Sequence, residues 1–319
     1  MLTRLARGSS RFRVALVLAT PLLIAACGSF IGAGAYKPVH FHRTWSGPID
    51  AVDLGVSNGS VTLVGSDRSG AVVQANGADG LTSPTNKQTL AGGTLRIRSS
   101  CGHVVIGTNR CSLSYRVILP AGATVVAHTL DGRVKASSLT GSVTLTSSDG
   151  QISVNSPAGR VSAHSDDGQV RIIGATARVV TASSRDGQVL VGFRRPPRSV
   201  TAHSNDGSVT VNSPAGTVSA HSDEGQVRIT GATARVVTAS SRDGQVLVGF
   251  RRPPRSVTAH SDDGSVTIGV PDTSDSYHID VRSADGHVST PIRSNPLVSR
   301  TITATSGDGS VIVRYGSPL

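Results

Sequence analysis

The chain has little of what base-stacking, helical or metal-binding proteins are made from. Aromatic residues are 3% of 319, with one tryptophan, so platforms for stacking nucleobases are scarce. Leucine and glutamate are few and β-branched residues dominate, which removes the usual helix signals. H-E-x-x-H and zinc-spaced cysteines are missing, as is the G-G-x-G-x-D of calcium-binding repeats. Long hydrophobic runs are missing too. The longest, residues 14–26, is broken by Thr20 and Pro21 and is too short to span a bilayer comfortably.

What is present is a repeat. The phrase S-x-D-G-x-V-x-V returns about every twenty residues from Gly132, through Gly150, Gly168, Gly187, Gly207, Gly225, Gly244, Gly264 and Gly286, to Gly309. An aspartate precedes each glycine except Gly225, which follows Glu224. With that glycine as zero, positions −7 and +2 are Val or Ile, position −5 is mostly Ala, and position +4 is mostly Val or Ile. Polar residues alternate with them, so each unit reads as two half-buried strands on either side of a turn. Glycine at the turn is expected to take positive φ, and aspartate to hold the corner by bonding nearby amides. The opposite corners read SPAG (156–159, 213–216), GATA (174–177, 231–234) and RRPPR (194–198, 251–255).

Two folds carry such a pattern. An antiparallel meander or sandwich would need about twenty strands in one sheet, beyond the usual limit near ten, with an uncovered apolar face. A β-solenoid instead winds each unit as one coil and buries the apolar columns between two parallel sheets. The pattern therefore predicts an all-β solenoid whose coils are about twenty residues long and pile up in chain order. A block copy fits this: residues 156–212 recur as 213–269 with six substitutions. Such growth is tolerated when each coil touches only its neighbours.

The N-terminus reads as an export leader. Arg4, Arg7, Arg11 and Arg13 precede the apolar run, which ends in Ile24-Ala25-Ala26-Cys27. That ending resembles a bacterial lipobox, which implies lipidation of Cys27 and a membrane tether on the extracytoplasmic side. The predicted organisation is a signal peptide at 1–26, a lipidated cysteine and tether at 27–40, an N-terminal β region or cap at 41–122, and tandem repeats at 123–319. For an exported chain, Cys101 and Cys111 are positioned to close a small disulfide loop, with two reduced thiols as the alternative. The formal charge is +11, and removing the four leader arginines leaves +7. A basic exterior favours anionic glycans, wall polymers or lipid headgroups. Nucleic acid does not fit an exported, tethered chain.

Most candidate chemistry dissolves into the repeat. Position −4 holds His128, His164, His203, His221 and His260. The column reads as polar surface, with a zinc or copper site between adjacent rings as the alternative. Ser, His and Asp meet in AHSDDG (163–168), but neighbours on one strand do not converge as a triad does. No catalytic residue, metal or cofactor is assigned. The RRPPR corners stand apart. Arg194, Arg195 and Arg198, with Arg251, Arg252 and Arg255, are expected on one flank about 14 Å apart, three coils at about 4.8 Å each. Arginine's paired donors suit phosphate and carboxylate.

The segment VSNGSVTLVGSDRSGAVVQA, then GGTLRIRSS to YRVILPAGATVVAHT, then TSSDGQISV-type units, resembles the bacterial putative-adhesin family of β-strand-repeat domains of unknown function. The resemblance covers about residues 45–319. It implies a β-helix-like surface or envelope domain and supplies no catalytic residues. The expected function is a non-enzymatic adhesin-like or scaffold lipoprotein. A protein-binding module in envelope stress or signalling is the first alternative, and a carbohydrate-active β-helix enzyme the second.

Overall fold

The computed structural model describes residues 37–102 and 111–316. The leader and Cys27 lie outside the described residues. The stretch from Lys37 onward is a compact unit, and the hydrophobic core of the described residues lies within it, which is what a stretch needs to fold by itself.

All regular structure among the described residues is β. In each repeat the strand before the corner glycine lies in a 13-stranded sheet, and the strand after it lies in a 14-stranded sheet. Pairing between coils is parallel and in register. Val143 lies beside Val125 and Val161, and Val218 lies beside Val200 and Val237. The fold is a β-solenoid. Inward positions follow the sequence pattern: Val218, Ala220, Val227 and Ile229 are at most 1% exposed. Alanine at −5 keeps the space between the sheets thin, while the polar residues at −6 and −4 lie on the outer face. Antiparallel pairing is confined to the N-terminal end, where Pro38–Trp45 pairs with Ala71–Ala78, that strand with Ser112–Pro120, and Lys87–Ala91 with Thr94–Ser99.

Coils do not pile up strictly in chain order. Strand Thr301–Ser306 lies between Ser256–Ser261 and His278–Ser283, and Val311–Tyr315 lies between Val266–Val270 and Val288–Ser289. The chain builds its outermost coil first and then inserts the last one beneath it. A parallel ladder requires only that strands run the same way, and the connections at 271–277 and 290–300 are long enough to skip one coil. The N-terminal end does the same. The coil of Thr94–Ser99 and Ser112–Pro120 sits outside that of Ala51–Val56 and Val61–Ser66. In that outer coil, bonded Cys101 and Cys111, with Cα atoms 5.8 Å apart, stand where other coils place Asp-Gly. Beside it, Arg98 and Arg96 hold the Asp53 carboxyl below the usual carboxylate range.

The corners correct two expectations. None of the repeat glycines from Gly132 to Gly309 has positive φ. They are glycines because successive corners touch. A Cβ at Gly150 would run into the carbonyl of Gly132, one at Gly207 into that of Gly187, and one at Gly309 into that of Gly264. The aspartates before them are exposed and make no hydrogen bond to a corner amide among the described residues. Serine three residues before the glycine does that work. Ser204 Oγ accepts from Gly207 N at 3.0 Å and donates to Gly187 O at 2.9 Å. Ser222, Ser241 and Ser261 repeat the pattern on the next three coils. The result is an unbroken relay of backbone and hydroxyl groups. It follows spatial order even where chain order does not: Ser306 donates to Gly264 O, and Ser283 donates to Gly309 O.

Tyr277 is fully buried near the outermost C-terminal coil, and its hydroxyl has no hydrogen-bond partner among the described residues. Burial, with Asp275 close by, pushes the phenol up to about 12. Tyr277→Phe removes an unpaired polar group without leaving a hole, so stability at pH 7 should hold or rise by about 1 kcal/mol. Above pH ~10 the unfolded chain ionises this phenol while the folded chain keeps it neutral, so the residue withdraws stability between roughly pH 10 and 12. Urea midpoints at pH 7 and pH ~11 check both points. The phenylalanine variant should lose less stability on going alkaline.

Candidate functional site

The two RRPPR corners lie on the same edge, three coils apart, because each joins a strand of the larger sheet to the next strand of the smaller one. Prolines set these corners. Pro197 and Pro254 are buried, which turns the flanking arginines outward. Arg194, Arg195, Arg198, Arg251, Arg252 and Arg255 are all exposed. Within each corner they divide. The Arg251 guanidinium lies back over Gly231 of the preceding coil, 3.1 Å from where a Cβ would stand, and Arg194 reaches over Gly174 in the same way. Arg198 and Arg255 stand at the other side, one residue before the next strand.

That second position belongs to a longer column. Backbone register places Arg178, Arg198, Gly216, Arg235, Arg255 and Arg300 side by side on six neighbouring coils. Arg198 N donates to Arg178 O, and Arg255 N to Arg235 O. Arg160 joins from the coil before, one register place further on. Four of these arginines, Arg160, Arg178, Arg235 and Arg300, were not singled out from the sequence. The signal was there: SPAG and GATA are each followed by an arginine in SPAGR (156–160) and in both GATAR segments. Reading the corner strings one residue short hid the column.

Arg300 is paired, with its Nε 3.1 Å from Asp275 and a guanidinium nitrogen donating to Pro254 O at 2.8 Å. The other arginines of this edge form no ion pair among the described residues. Two shallow depressions open between them. One, of about 340 Å³, is lined by Arg160, Arg178 and Arg198 with Ala158, Gly159 and Val179. The other, of about 360 Å³, holds Arg251 with Phe250, Gly231 and Ser213. An edge of unpaired guanidinium groups recurring coil by coil can take several anions in a line.

The histidine column sits on the face of the smaller sheet. His203 and His221 stack with ring centroids 5.2 Å apart and planes within 3°. His221 Nδ1 meets Ser240 Oγ at 2.8 Å and its Nε2 meets Asp223 at 3.2 Å, while His260 bridges Thr305 and Asp262 in the same way. Both ring nitrogens of His221 and of His260 are thus engaged in hydrogen bonds. No group of three or more ligating side chains capable of holding a metal exists among the described residues. Convergence of Ser, His and Asp does occur, but across coils: Ser240, His221 and Asp223 are linked in sequence. The same-strand serine, Ser222, takes no part in it and bonds the corner backbone instead. The linkage lies on the open face of a parallel sheet, with an Arg242 guanidinium nitrogen 3.3 Å from the same Asp223 carboxylate.

Among curated proteins no match is found. The solved structure of a putative cell adhesion protein from Clostridium sporogenes ATCC 15579 aligns with 88% of this chain and 100% of its own, at 11% identity and a TM-score of 0.24. A putative adhesin from Bacteroides fragilis NCTC 9343 aligns with 87% of this chain and 97% of its own, at 14% identity and a TM-score of 0.37. Residues 197–315, from within the first arginine-rich corner to the last strand, match the Toastrack DUF4097 family model, and this bears out the resemblance of the tandem units to a β-strand-repeat family of unknown function.

Proposed function

We propose that this chain is a non-enzymatic, envelope-tethered lipoprotein with an adhesin-like or scaffold role, anchored through Cys27 and gripping linear anionic envelope polymers along its arginine edge. The observation that carries the reading is the register column of Arg178, Arg198, Arg235 and Arg255, unpaired and repeated along the coil axis. A linear polymer with charges along its length fits a line of cations better than a single headgroup does. The basic edge supplies a chemistry for such a role.

The test is a binding panel on the stretch from Lys37 onward, with polygalacturonate and heparin as polyanions, neutral dextran as control, and anionic vesicles as the lipid arm. Binding to the polyanions should weaken with salt. Changing Arg178, Arg198, Arg235 and Arg255 together to Gln should lower affinity at least about tenfold, or about 1.4 kcal/mol. Binding to none of the probes, or binding indifferent to these substitutions, rejects the reading. Binding to vesicles alone reassigns the edge to lipid.

A second reading has one observation in its favour. Strands His278–Ser283 and Val288–Ser289 at one end, and Pro38–Trp45 and Lys87–Ala91 at the other, each have a single sheet neighbour. Unpaired strand edges are templates for a protein partner. Recovery of one defined protein by the polymer-indifferent variant would support it.

A further inference from the structure

The acidic residues of the solenoid are segregated from the arginine edge. Between residues 131 and 270 there are eleven Asp and Glu, and all lie at the Asp-Gly corners. Of the fifteen Lys and Arg in the same stretch, nine lie on the opposite edge, three at the Asp-Gly corners and three on the sheet faces. The residue before each corner glycine, from Asp131 to Asp263, is acidic and exposed. These residues stack coil on coil: Glu224 N donates to Asn205 O, and Asp243 N donates to Asp223 O. A few charges there are locally paired, as in Arg185 with Asp166 and Arg242 with Asp223. The residues immediately before the glycines stay outside those pairs. One edge is therefore a column of carboxylates, the other a column of guanidinium groups, and the faces between them are rich in Ser and Thr.

We infer that copies of this chain associate side by side, the acidic edge of one against the arginine edge of the next. Two features single out a second copy as the occupant. The charges on the two edges are opposite, and they share one period, because both are set by the same coil rise of about 4.8 Å. Once one carboxylate of a neighbour meets one guanidinium, the following coils are in register without adjustment. The contact joins two different surfaces, so it does not close on itself and grows into open rows. Each exposed pair contributes little alone, and the effect depends on a regular series of them. The inference goes beyond the polymer-binding reading, since it uses both edges where that reading uses one.

Sedimentation velocity on the stretch from Lys37 onward tests it. At about 20 mM salt the chain should form species larger than the monomer, growing with concentration. These should revert to monomer at roughly 0.5 M salt, where charge is screened over a few Å. Arg178, Arg198, Arg235 and Arg255→Glu makes both edges acidic. Asp186, Asp206, Glu224 and Asp243→Lys makes both basic. Each variant, once circular dichroism shows the wild-type fold, should be monomeric at low salt, and an equal mixture of the two should associate again. A wild-type chain that stays monomeric at low salt overturns the inference without any variant. So does association that survives either reversal, or a mixture of folded variants that stays apart. The lysine variant keeps every arginine, so it should still bind polygalacturonate, and failure here is distinguishable from failure of the polymer-binding reading.

Discussion

Gly207→Ala should destabilise the chain by about 3 kcal/mol or more, while Gly192→Ala should fall within about 1 kcal/mol of wild type. The two substitutions add the same methyl group, and neither glycine has positive φ. They differ in what the methyl meets. At Gly207 a Cβ would drive into the carbonyl of Gly187 and crowd Gln188 N at 2.9 Å, whereas at Gly192 nothing lies within 4 Å. The colliding atoms at Gly207 are backbone of the preceding coil. No side chain can rotate away, so relief requires the coils to part and the ladder between Val179–Ser184 and Ser199–Ser204 to stretch. At Gly192 the alanine loses less entropy than glycine in a strand and can be slightly favourable. Urea unfolding checks the totals, and hydrogen exchange should show the loosening centred on the coils either side of Gly207. Equal losses at the two sites would show that conformational freedom, not close approach, selects glycine at the corners.

That contrast marks where sequence reasoning succeeded and where it stopped. Alternation of Val, Ala, Val and Ile at fixed offsets from the glycine carries the inward columns, because burial between two sheets selects small and branched side chains at every coil. Parallel stacking was legible for the same reason: twenty strands in one meander would leave an apolar face open. The role of the glycine was not legible. A turn needing positive φ and a corner touching its neighbour both select glycine, and a single sequence does not separate them. Aspartate was credited with a hydrogen bond that Ser204 and its equivalents make, although serine stands at −3 in nine of the ten units, with Thr129 in the other. The exchanged order of the last coils was hidden because the ladder records strand direction and spacing, and both are the same whichever coil is inserted first.

The candidate site was half legible. Composition drew attention to the two RRPPR corners, where three arginines crowd around two prolines. The column through Arg178, Arg235 and Arg300 depends on register across coils, which emerges only when every corner is aligned on its glycine. A charge that recurs singly looks like a solvated surface residue, and it becomes a feature when its neighbours stand beside it. The same logic applies to the acidic corners. Each aspartate alone reads as turn chemistry, and the full set is a predominantly acidic edge facing away from a basic one.

Ser222→Ala should cost about 2–3 kcal/mol, while Ser219→Ala on the same strand should stay within about 0.5 kcal/mol of wild type. The chemical change is the same, an oxygen removed. Ser219 is exposed, with its hydroxyl to solvent. Ser222 is fully buried, donates to Gly207 O at 2.9 Å and accepts from Gly225 N at 2.9 Å. Its removal strands a half-buried N–H and a buried C=O on two successive coils, and the gap left by one oxygen offers water little room. The loss also breaks the relay that runs from corner to corner, so the coils on either side no longer share a continuous line of bonded groups. Cooperativity between coils in a solenoid comes from such neighbour contacts. The variant should therefore unfold over a broader urea range than wild type, with a lower apparent m, as the two halves begin to melt separately. A sharp, merely shifted transition would assign coupling between coils to the valine core and leave the serine relay a local contribution.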